Sequence, residues 1–349
     1  VYIDRLSRIP AIMEMPYNDI IRKFIDMYAG RLRNQVSFML SACNFYMPIF
    51  EEALDAYGLP LELRYLPIIE SALNPSAVSR AGASGLWQFM IGTGKIYGLE
   101  SNSLVDERRD PIKATWAAAR YLKEMYDIYG DWNLVIAAYN CGPGTINKAI
   151  RRANGETDYW KIYNYLPKET RGYVPAFIAA NYVMTYYCDH NICPMETNIP
   201  ASTDTVQVNK NLHFEQIADL CNVPLDQIKS LNPQYKKQMI PGDSKPYTLR
   251  LPIDAISTFI DKQDTIYAHR ADELFRNRKT VAIKEITPST RKTTTAVAGK
   301  GKLTYYTIKS GDTLSTIAGK YGVTIKDIQR WNGMSNTKIA AGKRLKIYK

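Results

Sequence analysis

The chain has 349 residues, 46% hydrophobic and 23% charged, the proportions of a soluble globular protein with room for two or three domains. No run of about 18 apolar residues occurs, which excludes a transmembrane helix, and five scattered cysteines (Cys43, Cys141, Cys188, Cys193, Cys221) exclude a disulfide scaffold. The formal charge of +11 and pI near 9.2 suit an anionic polymer such as nucleic acid, an acidic glycan or a membrane face, or serve solubility alone.

Residues 17–190 are predicted to be mostly helical. In YNDIIRKFIDMYAG, Ile20, Ile21, Phe24, Ile25 and Tyr28 form one helical stripe that Gly30 ends. Two further helices are predicted over 32–43 and 46–57, the second stopped by Gly58 and Pro60. A short helix over 61–71 carries Glu70 near its C-terminal end, and others fit 112–129, 132–140, 145–153 and 173–188. Asp110 and Pro111 read as the cap and first turn of the helix after DERRDP. The stretch Cys141-Gly142-Pro143-Gly144-Thr145 reads as a turn into the next helix rather than a phosphate cradle. Cys188 and Cys193 are close enough in sequence for a local bridge; His190 lies between them, but a four-ligand set with zinc-like spacing is absent.

From about residue 203 the texture changes. Shifted by 100 residues, TVQVNKNLHFEQIADLCNVPLDQIKSLNP meets YTIKSGDTLSTIAGKYGVTIKDIQRWNG, so that Val208 falls on Ile308, Ile217 on Ile317, Ile228 on Ile328 and Asn232 on Asn332. Core positions agree and surface positions do not, the mark of an internal repeat. Each copy reads β-α-α-β, with final strands at 247–251 and 344–348. Residues 276–303 are rich in Lys, Arg and Thr and poor in aromatics, a composition that reads as a flexible linker.

The C-terminal copy, with its Gly311-Asp312-Thr313-Leu314 turn, resembles the LysM module over 304–348. That resemblance implies binding of N-acetylglucosamine-containing chains in a groove between loops 310–314 and 332–341, with Asn332 at its edge. The earlier copy carries Asn211-Leu212-His213 where the turn would be, and reads as a LysM-like scaffold whose grip on sugar is in question. In the helical half, four clusters occur in order: Glu70-Ser71, Gly85-Leu86-Trp87-Gln88, Ala138-Tyr139-Asn140 and Gly172-Tyr173-Val174-Pro175. Together they resemble the catalytic domain of soluble lytic transglycosylases and goose-type lysozymes over about 15–190, nearest to the membrane-bound D-type enzymes that join it to LysM repeats. The expected fold is α+β multidomain: a mainly α-helical lysozyme-like domain followed by two small β-α-α-β modules. The expected divisions are 1–15 (N-terminal extension), 16–200 (catalytic), 203–253 (degenerate LysM-like), 254–303 (helix and basic linker) and 304–349 (LysM).

A general acid at neutral pH needs a raised carboxyl pKa, and Leu66, Pro67 and Ile69 set Glu70 among apolar groups that raise it. The alternative is a helix-end carboxylate paired with Arg64 or Arg80. Two-carboxylate hydrolysis requires a second acid as nucleophile or base; the next acids, Glu100, Asp106, Glu107 and Asp110, sit in a polar setting. The resemblance implies another course, in which the sugar's acetamido group supports the cation-like centre and ionised Glu70 takes the proton of the muramic C6 hydroxyl, closing a 1,6-anhydro ring. Ser71, Gln88, Tyr139, Asn140, Tyr173, Trp87 and Phe89 are the expected substrate-binding residues. Ser71 alternatively bonds backbone at the helix end, and Trp87 stands where many relatives carry Met, altering a subsite. No metal or cofactor is expected. The expected partner is peptidoglycan rather than nucleic acid, met in the periplasm or cell envelope by a monomer with an outer-membrane lipid anchor upstream of Val1. Hydrolytic lysozyme action and non-catalytic wall binding are the rival readings.

Overall fold

The computed structural model describes residues 1–197, 199–275, 303–309, 312–334, 336–337 and 339–348. The chain divides into two units, Val1–Ile286 and Thr287–Lys349. The first begins with helices α1 (Tyr2–Ser7), α2 (Asp19–Ala29), α3 (Arg33–Ala56), α4 (Leu66–Ser71), α5 (Ile91–Ile96) and α6 (Pro111–Tyr129). It continues with α7 (Trp132–Cys141), α8 (Pro143–Arg152), α9 (Tyr159–Ile162), α10 (Lys168–Arg171) and α11 (Tyr173–Thr185).

Local chemistry sets several of these boundaries. Asn18 Oδ1 accepts from the Ile20 and Ile21 amides to open α2, and Asp110 Oδ1 accepts from Ile112 and Lys113 ahead of Pro111 to open α6. Gly130, in the left-handed region, closes α6. The middle of α7, Leu134–Ala138, is buried all round, and α11 is buried along nearly its whole length, so these two form the centre on which α2, α4, α6 and α8 pack.

Three departures from the sequence-based elements have physical causes. Helix α3 runs unbroken for 24 residues through Pro48, where two helices were expected. Pro48 costs one backbone hydrogen bond at Asn44, and burial of Tyr46, Phe50, Ala53 and Leu54 outweighs it. The predicted 61–71 helix is a 3₁₀ turn (Leu61–Tyr65) followed by α4, with Pro67 in the first turn of α4. The N-terminal residues pack onto the helical core rather than extending from it: Leu6 is buried, and Arg5 bonds Tyr182 Oη at 3.1 Å and Asp189 at 2.5 Å.

The first unit then forms β1 (Thr203–Val208), β2 (Asn211–His213), α12 (Phe214–Cys221), α13 (Leu225–Leu231), β3 (Met239–Pro241) and β4 (Tyr247–Pro252). Strand β1 pairs antiparallel with β4, and β2 with β3. Two further helices, α14 (Ile253–Asp261) and α15 (Gln263–Ala268), bury Ala255, Phe259 and Ile266 against Phe214 and Ile217, so the core of this module runs past residue 253. Residues 276–302, read as linker, lie outside the described residues.

The second unit has β5 (Leu303–Thr307) antiparallel to β6 (Arg344–Tyr348), with α17 (Leu314–Tyr321) and α18 (Ile325–Asn332) between them; α16 (Ala271–Leu274) ends the described part of the first unit. Its own core holds Ile308, Leu314, Ile317, Ile328, Leu345 and Ile347. No helix among the described residues is long and apolar enough to cross a membrane.

Candidate active site

Glu70 lies in the last turn of α4, and the chain leaves that helix through Ala72 (φ 51) and Leu73 (φ 59), two non-glycine residues in the left-handed region. The Ala72 amide bonds the Ile68 carbonyl at 3.1 Å and the Leu73 amide the Pro67 carbonyl at 3.3 Å, which closes the helix and turns the chain sharply. Each such residue costs about 1 kcal/mol or more; burial of the Leu73 side chain (1% exposed) over-determines the turn. Gln88, across the cleft, is also left-handed (φ 49), so backbone strain gathers around Glu70.

The cleft has a volume of about 420 Å³, and Tyr28, Gln35, Met39, Glu70, Ser71 and Gln88 are among its lining residues. The Glu70 carboxyl pKa is pushed up to about 7, chiefly by burial, further by the charge of Glu169, and against a hydrogen bond that lowers it, donated by the Tyr173 hydroxyl to Glu70 Oε1. The Tyr173 and Tyr139 hydroxyls are held well above their ordinary value, first by burial and next by the Glu70 charge, so both stay protonated donors. The ion pair weighed from sequence does not form: Arg64 bonds Glu51 and the Tyr65 hydroxyl, and Glu70 has no ion-pair partner among the described residues.

The other expected residues divide into two groups. Ser71 Oγ donates to the Pro67 carbonyl (3.0 Å) or the Leu86 carbonyl (2.9 Å), the backbone-bonding alternative. Gln88 Nε2 donates to the Gly85 (2.8 Å) and Ala77 (3.3 Å) carbonyls, which leaves its side-chain oxygen as the group without a donor among the described residues. Tyr139 Oη bonds the Trp87 carbonyl at 2.7 Å, and Asn140 Oδ1 accepts from Thr170 Oγ1 at 2.9 Å, in the turn that leads to Tyr173.

Trp87 and Phe89 do not reach the cleft, contrary to the sequence reading. Trp87 is wholly buried, its indole N–H donating to Thr115 Oγ1 on α6 at 2.8 Å and its ring edge-on to Phe50 of α3 at 5.2 Å. Phe89 is 3% exposed among the rings of Tyr97, Tyr121 and Tyr139. The loop is therefore hydrophobic where it enters the core and polar at Gln88 between the two anchors. Gln35 and Met39 were not anticipated; their four-residue spacing on one face of α3 is the signal that could have found them.

Among the described residues no group of three or more His, Cys, Asp or Glu is placed to hold a metal ion. Cys188 and Cys193 are exposed free thiols rather than a local bridge.

In the second unit, Thr313 caps α17 in a reciprocal capping box with Thr316, and Leu314 is buried. Asp312 Oδ2 accepts from Tyr306 Oη and the Lys309 amide, both at 2.8 Å. Asn332 is spent on backbone: its side-chain amide donates to the Ile328 and Lys346 carbonyls and accepts from the Lys346 amide at 2.7–2.8 Å, so it ties α18 to β6 rather than facing a ligand. Gly311 lies outside the described residues.

Three families match the chain: Transglycosylase SLT domain over residues 47–162, "Lytic transglycosylase MltD, LysM-like domain" over 202–268, and LysM domain over 306–347. The chain is 33% identical over 124 residues to the soluble lytic murein transglycosylase of Escherichia coli K12, covering 34% of this chain and 19% of that protein. Its similarity to the solved 70 kDa soluble lytic transglycosylase of E. coli is 29% in sequence with a TM-score of 0.36, covering 41% of this chain and 24% of that one. The matched families and their order along the chain define a lytic transglycosylase with LysM modules. The chain is 32% identical over 341 residues to membrane-bound lytic murein transglycosylase D of E. coli K12, covering 96% of this chain and 70% of that protein. It belongs to that family.

Proposed function

We propose that Glu70 carries both proton transfers of a non-hydrolytic cleavage of the MurNAc-β-1,4-GlcNAc bond. The observation that carries the reading is the Glu70 carboxyl itself, half-buried at the cleft beside one tyrosine hydroxyl, with a pKa pushed up to about 7 and no ion-pair partner among the described residues. Protonated, it donates to the glycosidic oxygen as the C1–O bond breaks. The acetamido oxygen of the muramic sugar supports the electron-poor C1, the ionised carboxylate takes the C6 hydroxyl proton, and the C6 oxygen closes on C1. No water is consumed, and Glu70 ends protonated as it began.

In this reading Tyr173 steadies the carboxylate after the first transfer. The Gln88 oxygen and Asn140 meet N-acetyl and hydroxyl groups, Tyr139 backs the sugar, and Ser71 fixes the loop that carries Gln88. Peptidoglycan is the substrate class and the cell envelope the place of action. In the C-terminal module, Gly311, Asp312 and Thr313 meet the glycan, with Asp312 held by its bonds to Tyr306 and Lys309, Thr313 by its cap, and Leu314 anchoring them in the core. A monomer anchored by a lipid upstream of Val1 completes the proposal, checked by light scattering and membrane fractionation.

Mass spectrometry of soluble products from purified sacculi tests the chemistry. Anhydro-muropeptides one water lighter than hydrolytic products are expected; reducing muramic ends would instead establish a lysozyme-type hydrolase.

A further inference from the structure

We propose that the module over residues 202–268 is a strut for the catalytic cleft rather than a sugar-binding module, with Lys236 as its positioning residue.

The wall of the cleft opposite α4 is the loop 77–89, which supplies Ala77, Val78, Ser79 and Gln88. Arg108 holds this loop from behind. Its Nη1 donates to the Gly82 and Phe89 carbonyls at 2.8 and 2.9 Å, and Arg109 Nε adds a bond to Ser84 Oγ at 3.0 Å. The backbone approach is so close that a Cβ on Gly85 would stand 1.7 Å from the Arg108 carbonyl oxygen. Arg108 is oriented in turn by Asp106, whose two carboxylate oxygens each accept from it at 2.8 Å. Both side chains are almost wholly buried (6% and 2% exposed), so their geometry depends on what packs against them.

What packs against them is the 202–268 module. Leu104 and Val105 sit in its apolar core, Val105 bridges Tyr235, and the Asp106 amide donates to the Gln234 carbonyl at 2.8 Å. The Lys236 amide bonds the Leu104 carbonyl, while its Nζ donates to the Asn102 carbonyl at 2.8 Å and stands 3.8 Å from Asp106 Oδ2. Tyr247 Oη, donating to the Glu100 carboxylate at 3.1 Å, anchors the same segment, a short hairpin over residues 100–107 closed by the Ser101–Asp106 bridge. Lys237 and Gln238, next after Lys236, are both left-handed (φ 57), so the loop holds a strained shape at this contact.

The loop 232–241 is the counterpart of 332–341, one of the two loops that the LysM resemblance assigns to a glycan groove. In the first copy the catalytic domain's own hairpin occupies it. The C-terminal copy has Asn336 in place of Lys236. In the first copy this position is bonded into the catalytic domain.

The test uses the full chain with Lys236→Met, its rescue by Lys236→Arg, and Lys229→Met as an exposed control. Turnover of a soluble glycan fragment is expected to fall roughly 2- to 30-fold in kcat, with KM moving less, as for other residues that act through a network. Amide hydrogen exchange is expected to speed up at Ser79, Gly82, Ser84, Gly85 and Gln88, while α3 and α11 keep their protection. Arginine restores both. The exchange arm does not depend on the Glu70 mechanism, so the two readings fail separately. Wild-type turnover and exchange in Lys236→Met overturn the strut, as does a uniform loss of protection. Should that variant not fold, Tyr247→Phe carries the test with the same readouts and the same expected direction.

Discussion

Replacing Glu70 by glutamine should abolish cleavage and stabilise the protein at neutral pH. The first effect follows from loss of the acid, which contributes about 10²–10⁴-fold or more where one group serves twice. The second follows from linkage. The folded Glu70 carboxyl titrates at about 7 against an ordinary 4.5. Between those values the native state holds a proton that the unfolded state has lost, so stability falls as pH rises across that window and is fully lowered above about 7. At ~1.4 kcal/mol per pH unit the ceiling is about 3 kcal/mol. The residue keeps an opening to the cleft, so water discounts it to about 1–3 kcal/mol. The amide stays neutral, and its carbonyl still accepts from Tyr173. The assay is thermal unfolding of both proteins from pH 4 to 8, following the helical unit by calorimetry. The melting gap between Glu70→Gln and wild type should be near zero at pH 4 and open to roughly 2–10 °C above pH 7. Parallel curves, or a gap that opens toward acid, would refute the placement of a protonated carboxyl in this cleft.

Turnover should fall as pH rises through about 7, where the acid form of Glu70 is lost. Glu169→Gln should move that limb to lower pH and Tyr173→Phe to higher pH, read from kcat/KM profiles, because Glu169 raises the carboxyl pKa and the Tyr173 bond lowers it. Ala72→Gly should stabilise the protein by about 1 kcal/mol in denaturant melts, since glycine adopts the left-handed cap without a Cβ penalty. Trp87→Ala should cost about 3–5 kcal/mol, the range for a large buried aromatic, whereas Trp87→Met should leave KM within twofold of wild type; a large rise in KM would return Trp87 to the cleft. Removing residues 303–349 should weaken pull-down by sacculi yet leave cleavage of soluble fragments nearly intact.

Much of the fold was legible because its signals are local. Asp110 and Gly30 mark helix ends by their own side chain or lack of one, and each stands where the structure has a boundary. Pro48 misled because its penalty is local while the compensation, burial of Phe50 and Leu54, is tertiary. At the site, Glu70 and Tyr173 were found as chemistry-bearing residues of a recognisable pattern, and they meet in one hydrogen bond across 103 positions. Trp87 and Phe89 shared the pattern without sharing the cleft. A motif specifies a loop's conformation as much as its ligands, and two aromatic anchors on either side of Gln88 are how this loop holds a left-handed residue in place. DERRDP read as a polar turn for a similar reason: nothing in six charged or turn-forming residues announces that Asp106 and Arg108 are buried together under a second domain.

The two repeats separate scaffold from function in a way a single copy could not. Asn232 donates to the Ile228 and Arg250 carbonyls and accepts from the Arg250 amide at 2.8–2.9 Å, bond for bond what Asn332 does with Ile328 and Lys346. A residue that repeats together with its partners in both copies answers to the fold, which is why Asn332 is a poor candidate for contacting sugar despite its place at the groove. The positions that differ carry the division of labour. Where the second copy has Asp312 accepting from Tyr306 and Lys309, the first has Leu212 buried, while His213 and Thr313 each cap the helix that follows. Where the second copy has Asn336, the first has Lys236 bonded into the catalytic domain. The same β-α-α-β frame thus carries different side chains at matching loop positions, and in the first copy Lys236 joins that loop to the catalytic domain.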